Sequence, residues 1–164
     1  MSPPITQVLV NYLASCFQQI TTANGYHTDF GSTVTSEEFW DRHNFNDMIQ
    51  LADGDYRPPL IVTEEPEHAV LESTSALRRC ELKFVANGLM RVSSGEAERQ
   101  TARLLEADML AALPWGKCFP DARIESVAPV KSGFELYDQG SPLVEVTLSL
   151  RATYRIFKDS PAGA

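Results

Sequence analysis

Cysteine is sparse in this chain of 164 residues, and its spacing carries no motif: Cys16, Cys80 and Cys118 lie far apart, with no CxxC. That excludes a disulfide-stapled scaffold and a dithiol redox pair, and leaves reduced, buried thiols as the expectation. No apolar run approaches the ~20 residues that a membrane helix needs. The opening, Met1-Ser2-Pro3-Pro4, has neither the basic nor the apolar region of a signal peptide, so the protein is expected to be made and kept in a cytosol. Missing too are GxxxxGK followed by Ser or Thr, GxGxxG and GxSxG, which removes phosphate-loop, dinucleotide-fold and hydrolase-elbow chemistry.

Basic side chains are nearly absent from the first half. Residues 1–76 hold Arg42 and Arg57 against eleven acids, whereas residues 77–164 are close to balanced, for a total of −8. Affinity for phosphates comes from Lys and Arg displacing counterions, so stable nucleic-acid binding is not expected. A surface that repels DNA remains compatible with this charge.

What the chain does have is periodicity. Ile5, Val8, Leu9, Tyr12, Leu13, Cys16, Phe17 and Ile20 fall on one stripe of a helix over about residues 5–22, with Pro3-Pro4 at its start. Asn24-Gly25 follows as a candidate left-handed cap, so ITTANGYHTDFG (residues 20–31) reads as a helix exit and hinge in which His27 and Asp29 need no catalytic role. A short strand is expected around residues 33–35, then an irregular acidic loop over about 36–57. Leu60-Ile61-Val62-Thr63 reads as a short buried strand that the polar EEPEHAVLEST brings to an end. Residues 79–86 alternate as a half-buried strand, after which Asn87-Gly88 either turns or ends it.

A second helix is expected over about 96–113, with Ala97, Leu104, Leu105, Asp108, Met109, Ala112 and Leu113 as its stripe and Pro114 as its stop. Strands follow at about 124–130, 133–137 and 143–157, the turn at 138–142 preceding the last. Along that last strand Val144, Val146, Leu148, Leu150, Ala152, Tyr154 and Ile156 share one face, and Glu145, Thr147, Ser149, Arg151, Thr153 and Arg155 share the other. The length suits one domain over 1–164 with a short 158–164 tail. The predicted class is α+β: a mostly antiparallel β-sheet with two α-helices packed on one face.

Candidate chemistry is thin. Cys118, beside Lys117 in WGKCFPD, is the only plausible exposed thiol; Cys16 and Cys80 sit on core patterns. Glu64, Glu65, Glu67 and His68 lack the spacing of a metal site, and Asp53-Gly54-Asp55 is too short for a calcium loop. Asp108, inside LLEADMLAAL, reads as a stripe-boundary residue or an Arg partner before it reads as a catalytic acid. Trp115 reads as helix-end packing before it reads as a binding anchor. No catalytic residue, cofactor site or metal site is therefore assigned.

The succession of an N-terminal helix ending in ITTANGYHTDFG, then PPLIVTEEPE, LLEADMLAAL and VEVTLSLRATYRI, over about residues 5–157, resembles the tail terminator (tail completion) proteins of long-tailed bacteriophages. The resemblance implies a non-enzymatic virion protein, made in the host cytoplasm, with no cofactor. It would form a ring, hexameric in the family, that caps the head-proximal end of the tail tube, ends its polymerisation and joins tail to neck. Its implied partners are further copies of itself, the tail tube protein and a neck or head-completion protein; duplex DNA passes through without specific binding, and no membrane is involved. At −8 per chain a hexamer carries roughly −48, a field strong enough to act on DNA.

Rings use heterologous contacts whose rotation closes, and the long 143–157 strand is expected to supply an edge for a neighbour. The candidate assembly residues are the acids Glu37, Glu38, Asp41, Asp47, Asp53 and Asp55 for lumen or partner surface, and Arg151 and Arg155 for pairing with a neighbour's acids. A head–tail connector or neck subunit is the nearest alternative. From another class comes a small hydrolase or ligand-binding enzyme using Cys118 or the Asp53/Asp55 loop.

Overall fold

A computed structural model of the chain describes residues 3–36, 61–92, 97–114, 119–136 and 143–158. Two helices, α1 (Ile5–Gln18) and α2 (Glu98–Ala112), and five strands, β1 (Thr35–Ser36), β2 (Ile61–Ser73), β3 (Leu77–Arg91), β4 (Ile124–Leu136) and β5 (Leu143–Phe157), build it. The strands form one sheet in the order β1-β2-β3-β5-β4. All its pairings are antiparallel except the short parallel contact of β1 with β2. Both helices pack on the same face, so the class is α+β as expected.

The core lies between that face and the helices. β3 contributes Cys80, Leu82, Phe84 and Ala86; β5 contributes Val146, Leu148, Leu150, Ala152 and Tyr154. Against them α1 sets Ile5, Leu9, Leu13 and Phe17, and α2 sets Leu105 and Met109. The α1 stripe is rotated from the expected one: Val10 and Ala14 are buried, while Val8, Tyr12 and Cys16 are half-exposed. The helix turns its seam towards β2 and the 30–36 segment, which covers flanks that heptad-like counting leaves open.

Helix α1 ends at Gln18, before the expected residue 22, because the chain must bend to bury Ile20. Ile20 N–H donates to Phe17 in a tightened last turn, and Gly31 N–H donates to the Ile20 carbonyl at 2.7 Å. A Cβ on Gly31 would lie 2.5 Å from the Gln18 carbonyl oxygen, so only glycine permits this crossing. Gly25 does adopt the left-handed conformation, φ +88°, but it closes a short turn at Thr22–Asn24 instead of capping α1. The Asn24 amide still donates to the Gln19 carbonyl at 2.9 Å. At the other helix, Leu113 is extended in front of Pro114, the conformation that a following proline imposes.

Three strand boundaries differ from expectation. β2 does not end at Thr63: it runs to Ser73, through the polar EEPEHAVLES. The strand tolerates Pro66 because its outer side has no described neighbour beyond Val62, and the register shifts between Glu64 and His68. Asn87-Gly88 neither turns nor ends β3; Asn87 pairs with Thr147, whose hydroxyl lies 3.0 Å from its side-chain oxygen. The hairpin turn is instead at residues 74–76, where the Thr74 hydroxyl accepts from Leu77 N–H. The expected pair of strands at 124–130 and 133–137 is one strand, β4, which absorbs its irregular middle as a bulge between Pro129 and Lys131. The first edge strand is at Thr35–Ser36, close to the expected 33–35. β5 begins and ends where the alternation predicts.

Candidate assembly surface

The face of the sheet opposite the helices is polar and charged. Strand alternation sends Arg79, Glu81, Lys83, Val85 and Asn87 of β3 to it, and Glu145, Thr147, Ser149, Arg151, Thr153 and Arg155 of β5. Register then assigns Ser126, Ala128, Lys131, Gly133 and Glu135 of β4 to the same side.

Arg79 and Arg155 stand directly opposite each other on β3 and β5. Two like charges in that relation repel. Glu125 resolves the conflict: it occupies a bulge of β4, between the Ile124 and Ser126 pairings, and its two carboxylate oxygens accept one from Arg79 Nε and the other from Arg155 Nε. The bulge turns the side chain onto this face, out of strict alternation. Burial pushes the Glu125 carboxyl up, but the hydrogen bonds and charges of the two arginines outweigh it and hold the group below the usual carboxylate range. The hydrogen bond to Glu125 raises Arg79 in turn.

Arg151 and Arg155 are thus where the alternation expects them, exposed on the outer face, but each meets an acid of its own chain. Arg155 shares Glu125, and Arg151 Nε lies 3.7 Å from Glu81. The expectation that β5 offers an edge is overturned: β5 lies between β3 and β4, hydrogen-bonded on both sides. Strong alternation marks a strand with one buried face and does not tell an edge from a centre. The outer strands are β2, with β1 along its beginning, and β4. β4 carries two bulges and Pro129. On β2, Val70 is 59% exposed and Leu71 49%. The acids Glu37, Glu38, Asp41, Asp47, Asp53 and Asp55, together with Cys118 and Trp115, lie outside the described residues, as do the side chains of Glu64, Glu65 and Glu67.

The polar residues within the core are accounted for by structure. Asp108 is 2% exposed and meets no arginine among the described residues. It accepts from His27 N–H at 3.0 Å, Thr28 N–H at 2.8 Å and the Thr28 hydroxyl at 2.8 Å, so it ties α2 to the hinge that follows α1. Asp29 accepts from the backbone and hydroxyl of Thr22. His68, on β2, has its Nδ1 2.7 Å from the buried Tyr154 hydroxyl. Burial pushes the Cys80 thiol up, offset in part by a hydrogen bond with Tyr154. Cys16 is likewise pushed up by burial. A raised thiol is a poor nucleophile at neutral pH. Among the described residues no group of three His, Cys, Asp or Glu side chains is placed to hold a metal ion.

Of this cluster sequence reasoning singled out Arg155, for a neighbour's acids, and missed Glu125 and Arg79. One signal was present: Ile124 and Val127 are both apolar though three positions apart in a strand, a spacing that a bulge accommodates if both face the core. Compared with known proteins, the chain matches no described family and no curated protein at a significant level.

Proposed function

We propose that the chain is a structural subunit of a phage tail, a tail terminator that assembles into a ring at the head-proximal end of the tail tube. In this role it ends tube polymerisation and presents a surface to the neck or head-completion protein, while DNA passes through the opening without specific binding. The protein is then a virion component with no catalytic step of its own.

One observation carries the reading: the helix–strands–helix–strands order, which resembles that family, folds into a sheet covered on one face and bounded by two different outer strands, β2 and β4. A head-to-tail ring needs two unlike surfaces at opposite ends of a subunit, and a sheet of this kind supplies them. The charge of −8 per chain is compatible with a lumen over which DNA slides. The alternative of a small enzyme rests on Cys118, Asp53 and Asp55 and gains no support from the described residues.

Negative-stain imaging of the purified protein tests the proposal. Discrete rings with a central hole, and caps on one end of isolated tail tubes, are expected. A protein that stays monomeric at high concentration and never associates with tube ends would overturn it.

A further inference from the structure

Along the outer face of the sheet the charge changes from one end to the other: cations outnumber acids at the first, where Glu81 meets Arg151 and Glu125 meets Arg79 and Arg155, and two acids stand together at the second. Lys83 stands opposite Arg151, and Lys131 stands opposite Ser149, so three exposed cations fill two adjacent rows across β3, β5 and β4. Further along the same strands Glu135 stands opposite Glu145. Arg151 and Glu145 are separated by roughly 20 Å at ~3.4 Å per residue. Beside Lys131 its row holds Val85 and Ser149, and the next row holds Asn87, Thr147 and Gly133, none of them charged.

We propose that this face is self-complementary and that a second copy of the chain docks on it, sheet against sheet, with its strands reversed. A two-fold axis lying across the strands, between the Ser149 and Thr147 rows, sets Arg151 of each copy over Glu145 of the other. The same operation brings Lys131 and Glu135 into the two resulting clusters of opposite charge. The strands of the two sheets then run close to parallel or antiparallel, the aligned packing that twisted sheets adopt. The contact is isologous, so each favourable pair occurs twice. Uncharged side chains occupy its middle and charges its margin, the distribution of a protein interface.

Size is consistent with this. β3, β4 and β5 have 15, 13 and 15 residues. With the axis at that position about eleven residues of each strand overlap, and at ~3.4 Å per residue and ~4.8 Å between strands this gives roughly 500 Å² per copy, about 1,000 Å² in total, the lower end for a specific interface. Two chains of −8 repel at long range, so only local, sign-matched contact holds them together. Glu145 is half-buried and engaged within its own chain as well, whereas Glu135 is exposed. This pairing goes beyond the ring reading and does not rest on it.

Charge reversal in two halves tests the pairing. One variant carries Lys131→Glu and Arg151→Glu, which sets acids at both ends of the proposed contact while Lys83, Arg79 and Arg155 remain; the other carries Glu135→Lys and Glu145→Lys, which sets cations at both ends while Glu81 and Glu125 remain. Sedimentation at about 0.15 M salt screens net charge beyond ~8 Å but leaves direct contacts in place. Wild-type protein is expected at twice the mass of either variant, and an equimolar mixture of the two variants is expected to return to the wild-type mass. That mixture has the same total charge as two wild-type copies, so net charge cannot explain the recovery. The single changes Lys131→Glu and Glu135→Lys, both at exposed positions, repeat the experiment without touching half-buried Glu145. Equal masses for wild type and both variants, a variant that keeps the doubled mass, or a mixture that fails to recover it would each overturn the pairing. Images of the variants report rings separately, so loss of the two-fold contact and loss of the ring are distinguishable.

Discussion

Asp108, near the end of α2, grips Thr28 twice, through its backbone N–H and its hydroxyl, both at 2.8 Å and across a separation of 80 residues. A carboxylate at 2% exposure is stable only where hydrogen bonds replace water, and the loop after α1 supplies them. The hinge between α1 and the sheet is thereby fixed by a residue from the other helix.

Replacing Asp108 with Ala leaves three donors, two of them backbone, without their acceptor. A loss of about 2–3 kcal/mol in unfolding free energy is expected, and Asp108→Asn should lose less because one carbonyl oxygen still accepts. Urea unfolding of both variants measures this; a midpoint unchanged in the Ala variant would contradict the assignment.

The two glycines of the hinge should respond differently to Ala. At Gly25 the cost is conformational only, since nothing lies within 4 Å of the added carbon, and about 1 kcal/mol is expected. At Gly31 the carbon meets the Gln18 and Ile20 carbonyl oxygens at 2.5 and 2.7 Å, so backbone must shift and about 1–3 kcal/mol or more is lost. Thermal melts of the two variants should rank them in that order; the reverse order would show that the crossing at Gly31 is loose.

Glu125 links stability to pH. Its folded-state pKa is depressed, so its contribution is present above the unfolded carboxyl value near ~4.3 and is lost as pH falls through the lower folded value. Asp121, depressed by its hydrogen bond with Arg123, acts in the same direction. Melting temperature should therefore fall below about pH 4, and Glu125→Gln should flatten part of that fall while lowering stability at neutral pH. Parallel acid limbs for wild type and variant would mean that the two arginines do not hold the carboxylate.

Cys80 is buried and its thiol is pushed up, so thiol reagents should reach it only through opening of the structure. In a chain carrying Cys16→Ser and Cys118→Ser, modification at mildly alkaline pH should run on the order of 10–100 times slower than in denaturant. Equal rates would place β3 outside the protected core.

β5 was readable from one pattern, because its residues alternate without interruption between a covered and an open face. β2 was not, because its 68–73 stretch is exposed on both sides and a strand with no buried face has no period to detect. In β4 the bulges at Glu125 and Val130 shift the phase, which makes one strand look like two. Asn87-Gly88 is a strong local turn signal that loses to fifteen consecutive pairings between β3 and β5. Asp108 was visible as an anomaly in an apolar stripe, but its partners lie on a distant segment that local spacing cannot identify. For the outer face, composition shows which residues are charged; only the register shows that Arg79 and Arg155 are opposed and that Glu135 stands beside Glu145.

The strand order also sets a schedule for folding. β5 joins β3 to β4, and it is the last of the five strands to be synthesised. Until it arrives β4 has no hydrogen-bonding neighbour among the described residues, and Leu82 and Phe84 lack the β5 side chains that share their core. The central ladder connects residues 77–91 with 143–157, so the chain closes a long loop before its main pairing is rewarded. Folding should therefore be slow and concerted, completing only after β5 is available, and nascent chains halted before Leu143 should remain sensitive to protease throughout.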